Sequence, residues 1–179
     1  MRDMMQRTEG GLLMPSAKIA VKGSYHGQLV RDGEVIDEFE DENLVVNEGL
    51  DALLNIMFHN ATQFSTWYLG VFEGNYTPVA GATASSIAGD STESSAYDEV
   101  SRPAFNEAAA SSQSITNTAN RATFTFNASK TIYGAFLISD ATKSGTSGTL
   151  FSAARFSSSK SVVAADQLLL AYTFAASSL

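Results

Sequence analysis

The sequence predicts a mainly β chain: an antiparallel β-sandwich with one short α-helix and an extended N-terminal arm. Three observations carry that expectation. Residues 114–140 alternate apolar and polar with period two, the spacing of a pleated strand. Residues 43–60 are the one stretch with helical spacing, and residues 1–16 have no sustained period at all.

The alternating stretch divides in two. Ala122, Phe124 and Phe126 point one way and Thr123 and Thr125 the other, as in a half-buried antiparallel strand. After a polar break at 127–130, Ile132, Gly134, Phe136 and Ile138 share one face, with Tyr133, Ala135 and Leu137 opposite. This second strand is apolar on both faces and belongs near the middle of the sandwich. The expectation is a strand pair joined by a short turn, with the other strands building outward.

The elements follow in chain order. Residues 1–16 read as a flexible or extended arm, with a disordered terminus the commoner alternative where no partner chain orders it, and 17–179 as the β-sandwich domain; Gly10 and Gly11 interrupt the arm and Pro15 closes it. Met1 and Met14 are both candidate starts. In 18–40, Asp32-Gly33 between two strand-like runs marks a hairpin, because both central residues of a type I′ turn need positive φ. The outgoing strand carries Asp32, Glu34, Asp37, Glu38, Glu40, Asp41 and Glu42 within eleven residues. The helix starts with Asn47 as cap and Glu48 and Asp51 in its first turn. Leu50, Leu53, Leu54 and Met57 form one stripe, expected to pack on the core and close one end of the sandwich, and His59-Asn60 ends the helix.

A strand over 63–73 is apolar on both faces, with Trp67, Leu69 and Val71 on one and Tyr68 and Phe72 on the other. Residues 74–99 are the longest weakly structured segment, rich in Gly, Ala, Ser and Thr. Arg102-Pro103 suggests an edge or a turn. Residues 140–148 form a glycine-serine loop that lacks phosphate-loop spacing and has no helix after it. The last strands lie over 149–156 and 167–174, and the turn 164–166 suggests a hairpin with 161–163.

Composition narrows function. At 179 residues with 44% hydrophobic content, the chain can bury a substantial core without disulfides or metals. Only 17% of residues are charged, so Ser, Thr, Asn, Gly and Ala make much of the surface. The net charge of −8 disfavours nucleic acid and anionic membrane as partners, since no basic stripe is present to neutralise phosphates. No run is long enough to span a bilayer, and residues 1–14 lack the apolar core of a secretory signal. The absence of cysteine removes a Cys nucleophile and thiolate metal sites.

No catalytic signature stands out, and the expectation is a non-enzyme with no cofactor and no metal site. The acidic run at 32–42 is the one constellation with ligand chemistry, for Ca²⁺, but its spacing matches no calcium loop, and an edge strand guarded by charge accounts for it. The two histidines, His26 and His59, fall in different elements and make neither a triad nor a zinc site. Trp67, Tyr68 and Tyr76 offer sugar-stacking faces for a glycan module, against the commoner role of aromatics as core. Paired carboxylates in 32–42 are the only basis for a hydrolase.

The order of pieces carries a resemblance. The run NLVVNEGLDALLNI at 43–56 is followed by WYLGVFEGNYTP at 67–78 and YDEVSRPAF at 97–105. The chain then closes with ATFTFNASKTIYGAFLISD and GTLFSAARF. In this order, over roughly 43–174, it resembles small virion structural proteins of tailed bacteriophages. The resemblance implies a jelly-roll or immunoglobulin-like sandwich that acts as a capsid cement or decoration protein. The alternative is a neck, tail or head-fibre component. It further implies the major capsid protein or other virion proteins as partners, a homo-oligomer, and a place on the capsid surface after synthesis in the host bacterial cytoplasm. The motifs are structural and bring no contact residues with them. From the sequence itself, the candidate partner contacts are Leu12, Leu13 and Met14 of the arm and Tyr76 and Pro78 of the 74–96 loop.

Overall fold

A computed structural model describes residues 5–7, 13–15 and 19–178. Of the N-terminal arm it describes only the backbone of two short strands, β1 (Met5–Arg7) and β2 (Leu13–Pro15), which pair antiparallel. The body is an antiparallel β-sandwich.

The first sheet is organised around the first and last long strands. β3 (Ile19–Arg31) pairs along its whole length with β11 (Gln167–Ser178), and β4 (Glu34–Glu42) adds to the free side of β3. The far side of β11 takes β7 (Ser114–Thr116) and β8 (Ala122–Thr125). The β3–β4 turn is the two residues Asp32 and Gly33, at φ 52° and 84°, as the Asp-Gly pair predicts. The second sheet runs β5 (Leu44–Val45), β10 (Leu150–Val162), β9 (Lys130–Ile138), β6 (Tyr68–Phe72).

The two sheets close on one apolar core. Tyr25, Leu29, Phe39, Phe124, Leu168 and Leu170 come from the first sheet; Leu69, Val71, Leu137, Phe151 and Phe156 come from the second. A second core lies on the outer face of β9 and β6, where Phe72, Phe136 and Ile138 pack against Ala82, Ala84 and Ile87. This is why β9 is apolar on both faces: each face meets a layer. The 63–73 strand shortens to β6, but its faces divide as expected, with Trp67, Leu69 and Val71 inward and Tyr68 and Phe72 outward.

The structure corrects four expectations. β8 and β9 are not a hairpin; they lie in different sheets, and the turn between them crosses the sandwich. β10 and β11 likewise cross rather than pair, and the two crossing turns bond to each other through Phe126 N–H to Asp166 O and Ala165 N–H to Phe126 O. Ile132 belongs to the inter-sheet core, opposite Phe136 and Ile138, because the β9–β10 ladder jumps from Gly134–Arg155 to Ile132–Lys160 and the alternation slips there. Finally, the helix over 47–58 is not alone. The 74–99 segment contains α2 (Ala84–Asp90), entered through a Thr83–Ser86 capping box, with Ala84, Ile87 and Ala88 buried. That segment is a packed cover, not a loose loop.

The cover is tied down by a buried ion pair. Arg102, fully buried, donates from Nε to Glu93 Oε1 at 2.8 Å and from NH2 to Glu93 Oε2 at 2.6 Å. Its remaining donors reach the carbonyls of Asp140 and Gly145, and Ser144 N–H donates to Glu93. The glycine-serine loop thus serves as a wall for the guanidinium. Removing one partner strands a buried charge, so Arg102→Ala is expected to cost ~3–5 kcal/mol, while replacing both Arg102 and Glu93 by apolar residues recovers most of it. Urea unfolding of the single and double variants checks this.

Three buried tyrosines give the fold an alkaline limit. Burial pushes the hydroxyls of Tyr25, Tyr97 and Tyr172 above the ordinary tyrosine value, that of Tyr172 to about 12. The neighbouring Tyr172 adds to the shift of Tyr25, and Glu93 to that of Tyr97. A folded value raised above the unfolded one means that the unfolded chain releases its protons first as pH rises. The contribution of Tyr172 is therefore complete below pH ~10, the unfolded tyrosine value, and is lost as pH climbs toward 12. Stability measured from pH 8 to 12 should fall in that window, together with tyrosinate absorbance.

Candidate functional site: an uncovered apolar helix face

α1 (Asn47–Phe58) follows the extended residue Val46, which holds the cap position at φ −81°, ψ 163°. Asn47 is the first helical residue rather than the cap, and no side chain caps the helix. The first turn is held from outside. Glu48 Oε2 accepts the N–H of Ala84 at 2.8 Å and of Leu150 at 2.7 Å, joining α1, α2 and β10 through one carboxylate. Val46 N–H donates to Phe151 O and Asn47 N–H to Ala80 O. Gly49 is the only buried residue of the helix; a Cβ there would run into the Phe151 backbone, with Cα at 2.7 Å.

Beyond that turn the helix leaves the body, and the expectation that its stripe is core fails. Leu50 and Leu53 are half-buried, but Leu54, Met57 and Phe58 are 55%, 64% and 82% exposed. The helix is anchored at its N-terminal end by polar and backbone contacts, which leaves the apolar stripe without a partner layer. Helical spacing sorts that surface in two. Leu54 and Phe58, four residues apart, form the outward pair. Leu53, Ile56 and Met57 line a groove of about 250 Å³ whose other wall is Trp67, Phe105, Ile115, Phe151 and Phe174, with Gln63 and Glu107 also lining it. The aromatic wall is ordered by edge contacts: Phe64–Trp67 at 5.0 Å, Trp67–Phe151 at 5.5 Å and Phe151–Phe174 at 5.2 Å between centroids.

The other sequence candidates are dispersed. Leu12 lies outside the described residues, as do the side chains of Leu13 and Met14. Tyr76 is half-buried, its ring edge-on to Phe72 at 6.2 Å, and Pro78 is half-buried beside it in the cover. Tyr68 packs on the outer core with Tyr76, so the three aromatics proposed for sugar stacking do not share one surface.

The acids of β4 separate by face. Asp37 pairs with the buried Lys160 at 2.9 Å and Asp41 accepts Ser157 N–H, both across to β10. On the outer face, Glu38 accepts from Gln28 and His26, and those two bonds hold its carboxyl below the usual range. Ser24 donates to Glu40 at 2.8 Å, beside a shallow depression of about 450 Å³ lined by Lys22, Glu40, Glu42 and Thr173. His26 accepts from Arg121 at Nδ1, which places its proton on Nε2, facing Glu38. His59 ends α1, in a different part of the fold. Among the described residues no three His, Cys, Asp or Glu side chains converge to hold a metal, and no helix is long and apolar enough to cross a membrane.

The sequence did place the right residues in the stripe; what it missed is that the described body covers Leu50 and Leu53 only in part and leaves Leu54 and Met57 exposed. The anchoring and the exposure separate cleanly in a test. Gly49→Ala is expected to destabilise by ~1–3 kcal/mol through overpacking, whereas Leu54→Ser with Phe58→Ser should leave stability within ~1 kcal/mol of the parent. Urea midpoints of the two variants check the contrast. The chain matches no protein-family model and no curated protein sequence.

Proposed function

We propose that this chain is a virion structural protein that binds and stabilises a bacteriophage capsid as a cement or decoration protein. The outward face of α1 docks on the major capsid protein. The observation that carries the reading is the exposed pair Leu54 and Phe58 on a helix fixed to a stiff sandwich. Large apolar side chains displayed together from a rigid mount are the signature of a protein contact surface. The resemblance of the 43–56, 67–78 and 97–105 runs to phage virion proteins supplies the partner class.

Charge supports the orientation. The outer face of the first sheet carries Glu38, Glu40 and Glu42 on a chain of net charge −8, a surface that packaged DNA repels. The docking face belongs toward the shell and the acidic sheet away from the nucleic acid. Binding is passive, and occupancy comes from many copies, as a homo-oligomer, on a repeating lattice.

Purified chain mixed with expanded and unexpanded heads that lack it is expected to co-sediment with expanded heads at lattice-level copy number. Leu54→Asp with Phe58→Asp should weaken that binding by roughly a hundredfold or more, since each large apolar side chain contributes ~1.5–3 kcal/mol when buried. Undiminished binding of the double variant overturns the docking face. A copy number matching one vertex or one tail ring moves the protein to the neck, tail or head fibre.

A further inference from the structure

We propose that the groove between α1 and the aromatic wall is a docking site for a basic, apolar segment of a partner protein. Apolar side chains of the segment fill the groove, and a Lys or Arg beside them faces Glu107 and the C-terminal end of α1. The inference does not depend on which protein carries the segment, because it concerns the inner flank of α1, not the outward pair Leu54 and Phe58.

The groove is formed before any partner arrives. One lip is α1, fixed at its first turn. The other is a hairpin: Ala108 N–H donates to Thr116 O, Ser111 and Ser114 exchange backbone bonds, and β7 fastens the returning strand to β11. The floor is buried, made by Phe105, Leu137, Phe151 and Tyr172. Above it Leu53, Ile56, Trp67, Ile115 and Phe174 are only half-buried, which leaves apolar surface for an occupant. At about 250 Å³ the groove is smaller than the ~300–1,000 Å³ of sites that enclose a drug-sized molecule. That size suits a few side chains of a larger partner better than a free metabolite.

Charge selects the partner. Among the described residues, Glu107 is the one charged side chain that lines the groove, and it is exposed. The opposite flank of α1 adds Glu48 and Asp51, and no described Lys or Arg lines either side. The helix contributes as well. An α-helix ends in carbonyls that carry the negative end of its dipole, and the last turn of α1 holds no basic residue. Ile56 and Met57, from that turn, line the groove, so the field at its mouth is negative. A Lys or Arg complements both sources, laying its apolar stem along the wall while its head reaches Glu107. A second copy presenting this same face would bring acid to acid, which leaves a basic segment of a different protein as the occupant.

Trp67 is the only tryptophan and lines the groove, so its emission reports occupancy. The full chain titrated with the peptide acetyl-Leu-Lys-Leu-Leu-Lys-Leu-amide should show a saturable change in Trp67 emission. Binding should be roughly fivefold or more tighter than for the same peptide with Glu in place of Lys, and the preference should fade at high salt. Glu107→Lys should erase or reverse the preference while keeping the urea midpoint near the parent's, since the position is exposed. Leu54→Ser with Phe58→Ser should leave the preference intact. Absence of saturable binding by the lysine peptide overturns the proposal, as does equal binding of the two peptides or a preference that survives Glu107→Lys. Loss of binding in the Leu54→Ser, Phe58→Ser variant also overturns it, by moving the contact to the outward pair. No capsid enters this measurement, so its failure and the failure of co-sedimentation with heads are separate results.

Discussion

The buried Arg102–Glu93 pair is the constraint on which the layering depends. A guanidinium and a carboxylate, both without solvent access, are joined by two hydrogen bonds of 2.6 and 2.8 Å. The bidentate geometry and two backbone carbonyls satisfy donors that would otherwise be stranded at a cost of several kcal/mol. Glu93 ends the cover that contains α2, Arg102 precedes the segment that bridges to β6, and the carbonyls belong to the loop after β9. One ion pair thereby fastens three irregular segments over the second sheet. It adds to the backbone bonds Ser94 N–H to Val71 O and Glu73 N–H to Thr92 O, which also hold the cover over Phe72, Phe136 and Ile138.

That fastening determines what is left open. The cover occupies the outer face of β6 and β9, and α1 is hydrogen-bonded to it through Glu48 and the backbone of Asn47. The helix is consequently held at one end and presents its length to solvent. A helix packed along its stripe would hide Leu54 and Met57; one mounted by Gly49 and a carboxylate displays them. Anchoring and display are consequences of the same geometry.

The legible parts of the fold were those written in local periodicity. Alternation in 122–126 and 135–138 gave the buried faces, and Asp32-Gly33 gave the hairpin turn. Period two, however, reports which way side chains point and not which strand lies alongside. A short turn after β8 or β10 is equally compatible with a hairpin and with a crossing between sheets. The choice here is tied to the bonds between Phe126 and the Ala165–Asp166 turn, residues far apart in the chain. α2 escaped notice because its buried side chains are mostly alanine, which make no periodic apolar signal, with Ile87 the exception. Arg102-Pro103 read only as an edge or a turn because the partners of Arg102 at Glu93, Asp140 and Gly145 are invisible to any local window. For the candidate site, helical spacing revealed the stripe of Leu50, Leu53, Leu54 and Met57 but held no information on whether another layer covers it.

The size of the outward patch limits how it can act. Two side chains and their surroundings on a twelve-residue helix fall short of the ~1,000 Å² that a stable one-to-one complex requires. A single contact of that kind is weak, and the acidic β4 at the edge of the outer sheet opposes edge-to-edge pairing of copies. Under the proposed capsid role, a weak single contact suffices, because the protein meets a surface presenting the same site many times at fixed spacing. Linked copies on such a surface convert the second and later contacts into intramolecular events, so occupancy rises steeply while each contact stays weak. A stiff sandwich is what that requires, because flexibility between the patch and the body would dilute the effective concentration on which the gain depends.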